Sequence, residues 1–208
     1  MEGICTVLFN AVFKAPYILM PHSISSVYSE YYASKYPDEV EAIISLDGTS
    51  TAYIGEDMPC FIKYLLKISK FQQRIGLTSI LSKITTNKRK LSHLGYKEKE
   101  INDMIYYGGF AINDTLLEQV SCSTEFIKTA NKISYPSYVP YFKIISKQTY
   151  ETKNSQIKIS PQEYQHQHLA RIGEQVEYNI LDGNHFIYHN NHKKITEITD
   201  KFLKHGNK

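Results

Sequence analysis

Apolar runs of strand length alternate with helical patterns near the start of the chain. Residues 16–21 form one apolar run and residues 40–46 form another. Residues 24–36 between them predict a helix, whose apolar face would be formed by Ile24, Val27, Tyr28, Tyr31 and Tyr32. This helix is expected to end before Pro37, because proline disfavours helical geometry in the preceding residue. Residues 4–13 predict another helix, or the remnant of one.

The pattern changes after residue 56. Helical periodicity then continues to about residue 132 without a clear strand, in the stretches 61–71, 77–84, 97–107 and 114–132. A run of helices between two regions that contain strands predicts an all-helical insertion.

Strand and helix patterns alternate again in the last third of the chain. Strands are predicted over 141–145 and 176–181, and a final amphipathic helix over 193–203. Ser160 and Pro161 predict the start of a further helix, since serine is a favoured cap and proline is favoured at the first helical position.

Strands that alternate with helices predict an α/β fold with a mostly parallel sheet and flanking helices. We therefore expect residues 1–56 and 133–208 to form one α/β core, and residues 57–132 to form a helical insertion within it.

Composition excludes several classes of protein. The 208 residues are 42% hydrophobic and 22% charged, which is ordinary for a soluble globular protein. A net charge of +3 is too mild to indicate nucleic-acid binding, and no apolar run is long enough for a transmembrane segment. Three widely spaced cysteines without a C-x-x-C motif favour a reducing, cytoplasmic location over a disulfide framework or a zinc ribbon.

Three polar residues directly follow predicted strands: Ser23, Asp47 and His185. In parallel sheets the carboxyl ends of the strands form the edge where ligands bind, so these side chains should share one rim. A serine hydroxyl needs an adjacent base to become a nucleophile, and an imidazole can take its proton and later return it. A carboxylate holds that imidazole in the required tautomer. The three residue types are therefore suited to acyl transfer.

These motifs resemble the serine α/β-hydrolase family. Pro21-His22-Ser23-Ile24-Ser25 is similar to its nucleophile elbow, and the helix and strand that follow match the family's order. Asp182-Gly183-Asn184-His185-Phe186 resembles the turn that bears the family's histidine, and the helical insertion falls where the family has its lid. The resemblance implies a C-terminal half of an α/β-hydrolase fold.

The resemblance also implies roles for individual residues. Ser23 would be the nucleophile, His185 the general base and acid, and Ile24 N–H one donor of the oxyanion hole. The preferred acid is Asp47, and Glu151 is the alternative, because it lies near the family's usual position after the strand that follows the lid.

Roughly 15 residues precede the strand before Ser23, whereas the family has four strands and the loop with the second oxyanion donor there. The resemblance therefore predicts that the chain is truncated at its N-terminus and that its first strand is an unpaired edge. A partner chain or an N-terminal segment would then complete the sheet.

Each candidate residue also has a purely structural interpretation. Ser23 can cap a helix, Asp47 can initiate the turn that Gly48 continues, and His185 can be a packed or surface histidine. His166 and His168 are two residues apart on a predicted helix, so we expect them to be solvated.

No metal or organic cofactor is implied. His185, His189 and His192 lack the spacing and the carboxylate of a helical zinc motif, so no metal site is expected.

The sequence favours a serine hydrolase that cleaves a small ester-like acyl substrate, with residues 57–132 as a lid over an apolar pocket. Two alternatives are a non-catalytic hydrolase remnant and an interaction protein that depends on a partner chain.

Overall fold

A computed structural model of the chain describes residues 14–54, 60–111, 113–154, 157–173 and 176–206. The helix predicted over residues 4–13 lies outside the described residues. The chain divides into two compact units, one formed by Met1–Gly55 with Glu125–Lys208 and the other by Glu56–Thr124.

The first unit is built on a parallel sheet, as predicted. Its strands are β1 (Tyr17–Leu19), β2 (Val40–Leu46), β3 (Tyr141–Ser146) and β4 (Glu177–Leu181), and they lie in the sheet in that order. All three pairings are parallel. The predicted α/β fold class is therefore confirmed, and the carboxyl ends of the strands meet at one rim.

Two apolar cores, one on each face of the sheet, bury the central strands. Side chains of β3 alternate between the cores, with Tyr141 in one and Phe142 and Ile144 in the other. All six residues of β3 are buried, which is expected for a parallel strand that helices cover on both faces.

The helices of this unit follow the prediction with shifted ends. They are α1 (Ser25–Lys35), which follows β1, then α8 (Pro161–Ile172) and α9 (Tyr188–Gly206). The predicted start of α8 is confirmed, because Ser160 Oγ accepts a hydrogen bond from Glu163 N–H. Helix α9 begins five residues before the predicted start at position 193. A short helix, α7 (Lys147–Glu151), was not predicted.

The apolar face predicted for α1 is partly wrong. The helix buries Ser26, Val27, Glu30, Tyr32 and Ala33, whereas Tyr28 and Tyr31 are only half-buried. Ser26 and Glu30 can be buried because each has polar partners in the interior. Burial on this helix therefore does not follow hydrophobicity.

Tyr28 and Tyr31 pack outside that buried face. Their rings lie 4.4 and 5.4 Å from the ring of Phe126 on α6 (Asp114–Asn131).

The second unit is helical in its described residues, as the pattern predicted. It contains α2 (Cys60–Arg74), α3 (Leu77–Thr85), α4 (Lys88–His93) and α5 (Glu98–Gly108), of which α4 was not predicted. The function of this unit as a lid stays a prediction.

Glycine allows close packing within the second unit. Thr78 Oγ1 on α3 donates to Gly109 O at 2.7 Å, and a Cβ atom at Gly109 would lie 2.5 Å from Ser79 Oγ. Among the described residues, no helix is both long and apolar enough to cross a bilayer.

Candidate active site

Ser23 lies on the tight bend between β1 and α1. Its φ of 57° is unusual for a residue other than glycine. The backbone around it is tied down: Ser23 N–H donates to Leu46 O, and Ser23 O accepts from Ser26 N–H and Thr49 N–H. These bonds stabilise a conformation that projects the hydroxyl from the sheet rim.

The elbow carries Ser25 where the motif that it resembles has its second glycine. Ser25 is exposed, so its side chain meets no close neighbour that would require glycine. The tight approach is at Gly48, where a Cβ atom would lie 2.1 Å from Ser45 Oγ and 2.2 Å from Ser26 Oγ. Glycine is therefore needed in the turn after β2, beneath the elbow.

Ser23, His185 and Asp47 lie together in a hydrogen-bonded chain at the rim. His185 Nε2 is 2.9 Å from Ser23 Oγ, and His185 Nδ1 is 2.8 Å from Asp47 Oδ2. The Asp47 side chain is fully buried, whereas 43% of the His185 side chain is exposed. If Nδ1–H donates to the carboxylate, Nε2 is left as an acceptor for the serine hydroxyl.

The Asp47 carboxylate is held by three donors besides His185. Ser146 N–H donates to Oδ1 at 2.8 Å, Thr149 Oγ1 donates to Oδ2 at 2.6 Å, and Ser146 Oγ lies 3.1 Å from Oδ2. Burial alone would raise the pKa of Asp47, but the bonds from His185, Thr149 and Ser146 together lower it. The carboxylate is therefore ionised and fixed in direction.

Ser146 and Thr149 were not identified from the sequence. Ser146 caps α7, and its Oγ accepts from Thr149 N–H at 3.1 Å. The signal was a serine followed three residues later by a threonine at the end of β3, which by itself indicates only a helix cap.

The alternative acid lies elsewhere. Glu151 is exposed at the end of α7, and Asp47 is the carboxylate that hydrogen-bonds to His185 among the described residues.

His22 supports the turn that contains His185. Its Nε2 is 2.8 Å from His185 O, which can only accept, so Nε2 carries the proton. The His22 ring lies 4.6 Å from the His185 ring and packs edge-on against Tyr188. The contact joins the elbow residue directly before Ser23 to the loop after β4, and sequence reasoning did not identify it.

Ile24 follows Ser23 in helical geometry, with φ −60° and ψ −23°. Its N–H makes no hydrogen bond with any other described residue, so this donor is free to bind an oxygen near Ser23.

The histidines outside this site do not form a metal cluster in the described part of the chain, where no three potential ligands group together. The prediction that His168 is solvated is wrong: its side chain is fully buried on α8.

His168 belongs to a buried polar cluster with Glu30 of α1 and Lys143 of β3. Lys143 Nζ is hydrogen-bonded to His168 Nδ1, and His168 Nε2 lies 2.9 Å from Glu30 Oε1. Glu30 also accepts from Tyr141 Oη at 2.8 Å and from Thr51 Oγ1 at 2.6 Å. Burial lowers the pKa of Lys143 to about 8, although attraction to Glu30 acts in the opposite direction.

The chain was compared with family models and with curated proteins. No family model matches the chain. It is 26% identical over 194 residues to the uncharacterized protein YbdG of Bacillus subtilis, a match that covers 92% of this chain and 59% of YbdG. The chain thus spans less than two thirds of that relative, and N-terminal truncation stays a prediction.

Solved structures resemble nearly the whole chain. One is a structure from a study of carboxylesterases of the thaumarchaeon Nitrososphaera gargenis. It has a TM-score of 0.56 and 14% sequence identity, and the match covers 99% of this chain and 71% of the other. An α/β-hydrolase fold protein from Nakamurella multipartita gives 0.52 at 14% identity, with 99% and 74% covered. The monoacylglycerol lipase of Paleococcus ferrophilus gives 0.52 at 14% identity, with 98% and 74% covered. The chain has the α/β-hydrolase fold.

Proposed function

We propose that this protein is a serine hydrolase that cleaves an ester-like acyl substrate. The observation that carries the proposal is the chain of contacts from Ser23 Oγ through the His185 ring to Asp47 Oδ2, with both distances below 3 Å. The esterase and lipase neighbours of this fold support it as analogy.

In acylation, Ser23 Oγ attacks the carbonyl carbon of the substrate while His185 Nε2 takes the hydroxyl proton. Asp47 stabilises the imidazolium that forms, and it keeps Nε2 directed at the serine. The carbonyl oxygen becomes an oxyanion, and Ile24 N–H is positioned to donate to it. Cleavage of the bond to the leaving oxygen then releases the alcohol, which receives the proton from His185.

In deacylation, a water molecule replaces the alcohol. His185 takes a proton from this water as its oxygen attacks the acyl carbon, and the new tetrahedral oxyanion again receives the Ile24 N–H bond. Collapse returns the proton to Ser23 Oγ and releases the carboxylic acid, so the enzyme is regenerated.

A fluorophosphonate probe tests this proposal, because it labels only a serine that is activated as a nucleophile. The wild type should be labelled, and Ser23→Ala should abolish the label. Ser25→Ala is the matched control, since this serine is exposed two residues further along and should retain labelling.

A folded wild type that takes up no probe would contradict the proposal and support a non-catalytic protein. Labelling that appears only when a second chain is added would support the alternative of a partner-dependent protein.

A further inference from the structure

A cavity of about 400 Å³ opens beside His185 in the first unit. Its walls come from α7, the loop that follows it, and the start of α8, and His185 forms one side. The volume is at the lower end of the range for ligand pockets in proteins. Neither Ser23 nor Ile24 is among its lining residues.

The lining of this cavity is mainly apolar. Ile157, Ile159 and Pro161 line it with half-buried side chains, and the ring of Tyr164 closes one side. Tyr164 is held rigidly, because its Oη accepts from Ser50 N–H at 2.8 Å and its ring packs edge-on against Tyr53. Lys153 is exposed, so the cavity contains no buried charge that would repel an apolar group.

The position of the cavity determines which part of a substrate it can hold. The acyl carbon must lie at Ser23 Oγ, and its oxygen must lie at Ile24 N–H. The leaving oxygen must instead lie within hydrogen-bond distance of His185 Nε2, since this atom returns the proton to it. A cavity walled by His185 but by neither Ser23 nor Ile24 is therefore on the side of the leaving group.

We propose that this cavity binds the alcohol portion of the ester and selects apolar, flexible alcohols of moderate size. The inference rests on the proposed function. In the selected reaction the bond from the acyl carbon to the alcohol oxygen breaks, His185 gives its proton to that oxygen, and the alcohol leaves through the apolar cavity.

The test compares two unactivated esters with the same acyl group, methyl butanoate and hexyl butanoate. Each methylene that becomes buried should raise kcat/KM about fourfold, so hexyl butanoate should be preferred by about 100-fold if three or four methylenes are buried. Ile159→Asp and Ile157→Asp should each reduce this preference by at least about 10-fold, because a carboxylate in the wall disfavours an apolar ligand.

Ile180→Asp is the matched control. Ile180 is an isoleucine on β4 with 39% of its surface exposed and is not part of the cavity wall, so this variant should keep the wild-type preference. Binding of 1-hexanol to Ser23→Ala, followed by ligand-observed NMR, gives a readout that does not require catalysis. The added Ile159→Asp substitution should abolish it.

The two proposals fail in different ways. An enzyme that is labelled by fluorophosphonate but treats both esters alike, or keeps its preference in both aspartate variants, would refute the alcohol site alone. A wild type that is not labelled and cleaves neither ester would refute both proposals.

Discussion

His168 Nε2 lies 2.9 Å from Glu30 Oε1 in the interior, although the two residues are 138 positions apart in sequence. The other ring nitrogen of His168 is bonded to Lys143 Nζ, and an ammonium group can only donate. Nδ1 must therefore accept, so Nε2 carries the proton and donates it to the carboxylate. The three side chains form a buried array of cation, neutral imidazole and anion that joins α1, β3 and α8.

This array makes stability depend on pH. Burial lowers the pKa of His168 and the Lys143 charge lowers it further, so the folded protein keeps the ring neutral. An unfolded chain protonates histidine near pH 6.5, so below this pH the unfolded state binds more protons and the free energy of unfolding falls. We expect a loss approaching about 1.4 kcal/mol per pH unit from this residue. Urea unfolding at several values between about pH 7.5 and 5.5 measures it.

His168→Gln should remove most of the slope of the free energy of unfolding against pH, whatever its effect on stability at neutral pH. His166→Gln, on the exposed side of the same helix, should keep the wild-type slope. An unchanged slope in His168→Gln would show that other groups cause the acid sensitivity in this pH range. Glu30 and Asp47 would not be among them, because their lowered pKa values affect stability only below about pH 4.5.

Lys143→Met should destabilise the fold by about 3–5 kcal/mol, because it removes a buried cation that is attracted to the Glu30 carboxylate and leaves His168 Nδ1 without its hydrogen-bond donor. The exposed Lys147, which forms an ion pair with Asp182 at 3.4 Å, is the control, and Lys147→Met should change stability by less than about 1 kcal/mol. Urea unfolding compares the two. The double variant Lys143→Met/Glu30→Gln should recover part of the loss, and strictly additive effects would argue against a coupled pair.

Asp47→Asn should slow fluorophosphonate labelling of Ser23 by up to about 10⁴-fold, the factor by which the same change lowers kcat in a serine protease, because the amide favours the wrong tautomer of His185. Glu151→Gln should leave the rate unchanged, since Glu151 is exposed and does not hydrogen-bond to His185. The reverse result, with Glu151→Gln slow and Asp47→Asn normal, would transfer the acid role to Glu151.

His22→Phe should reduce the labelling rate of Ser23 by about 10-fold. Phenylalanine keeps the ring packing on His185 but removes the N–H donor to His185 O, and small displacements of a catalytic group lower rates strongly. The control is His166→Phe, which changes an exposed histidine in the same way. Equal rates for His22→Phe and wild type would limit His22 to a packing role.

Sequence patterns predicted the four strands and the longer helices, and they grouped the candidate residues at one rim, but they missed the short helices α4 and α7. The run at 40–46 is long enough for a buried strand, and Ser160 with Pro161 begins a helix for local reasons. Side chains that follow parallel strands must lie at one edge, so Ser23, Asp47 and His185 could be grouped without knowing any distance.

Tertiary structure decided which polar groups meet. Glu30 and His168 occupy helical positions that look solvated, because a single sequence does not reveal that each has a buried partner. The same holds for Ser146 and Thr149, whose local role as a helix cap concealed their bonds to Asp47.

The elbow at Ser23 also combines a local feature with one that depends on tertiary structure. The sequence indicates the bend at Ser23 because a strand and a helix must be joined there, and that follows from local propensities. The need for glycine at position 48 depends instead on the close approach of α1 to the turn after β2, which is a contact between segments distant in sequence. Periodicity along the chain determines which residues form helices and strands, whereas the packing of those elements determines which of their side chains become partners.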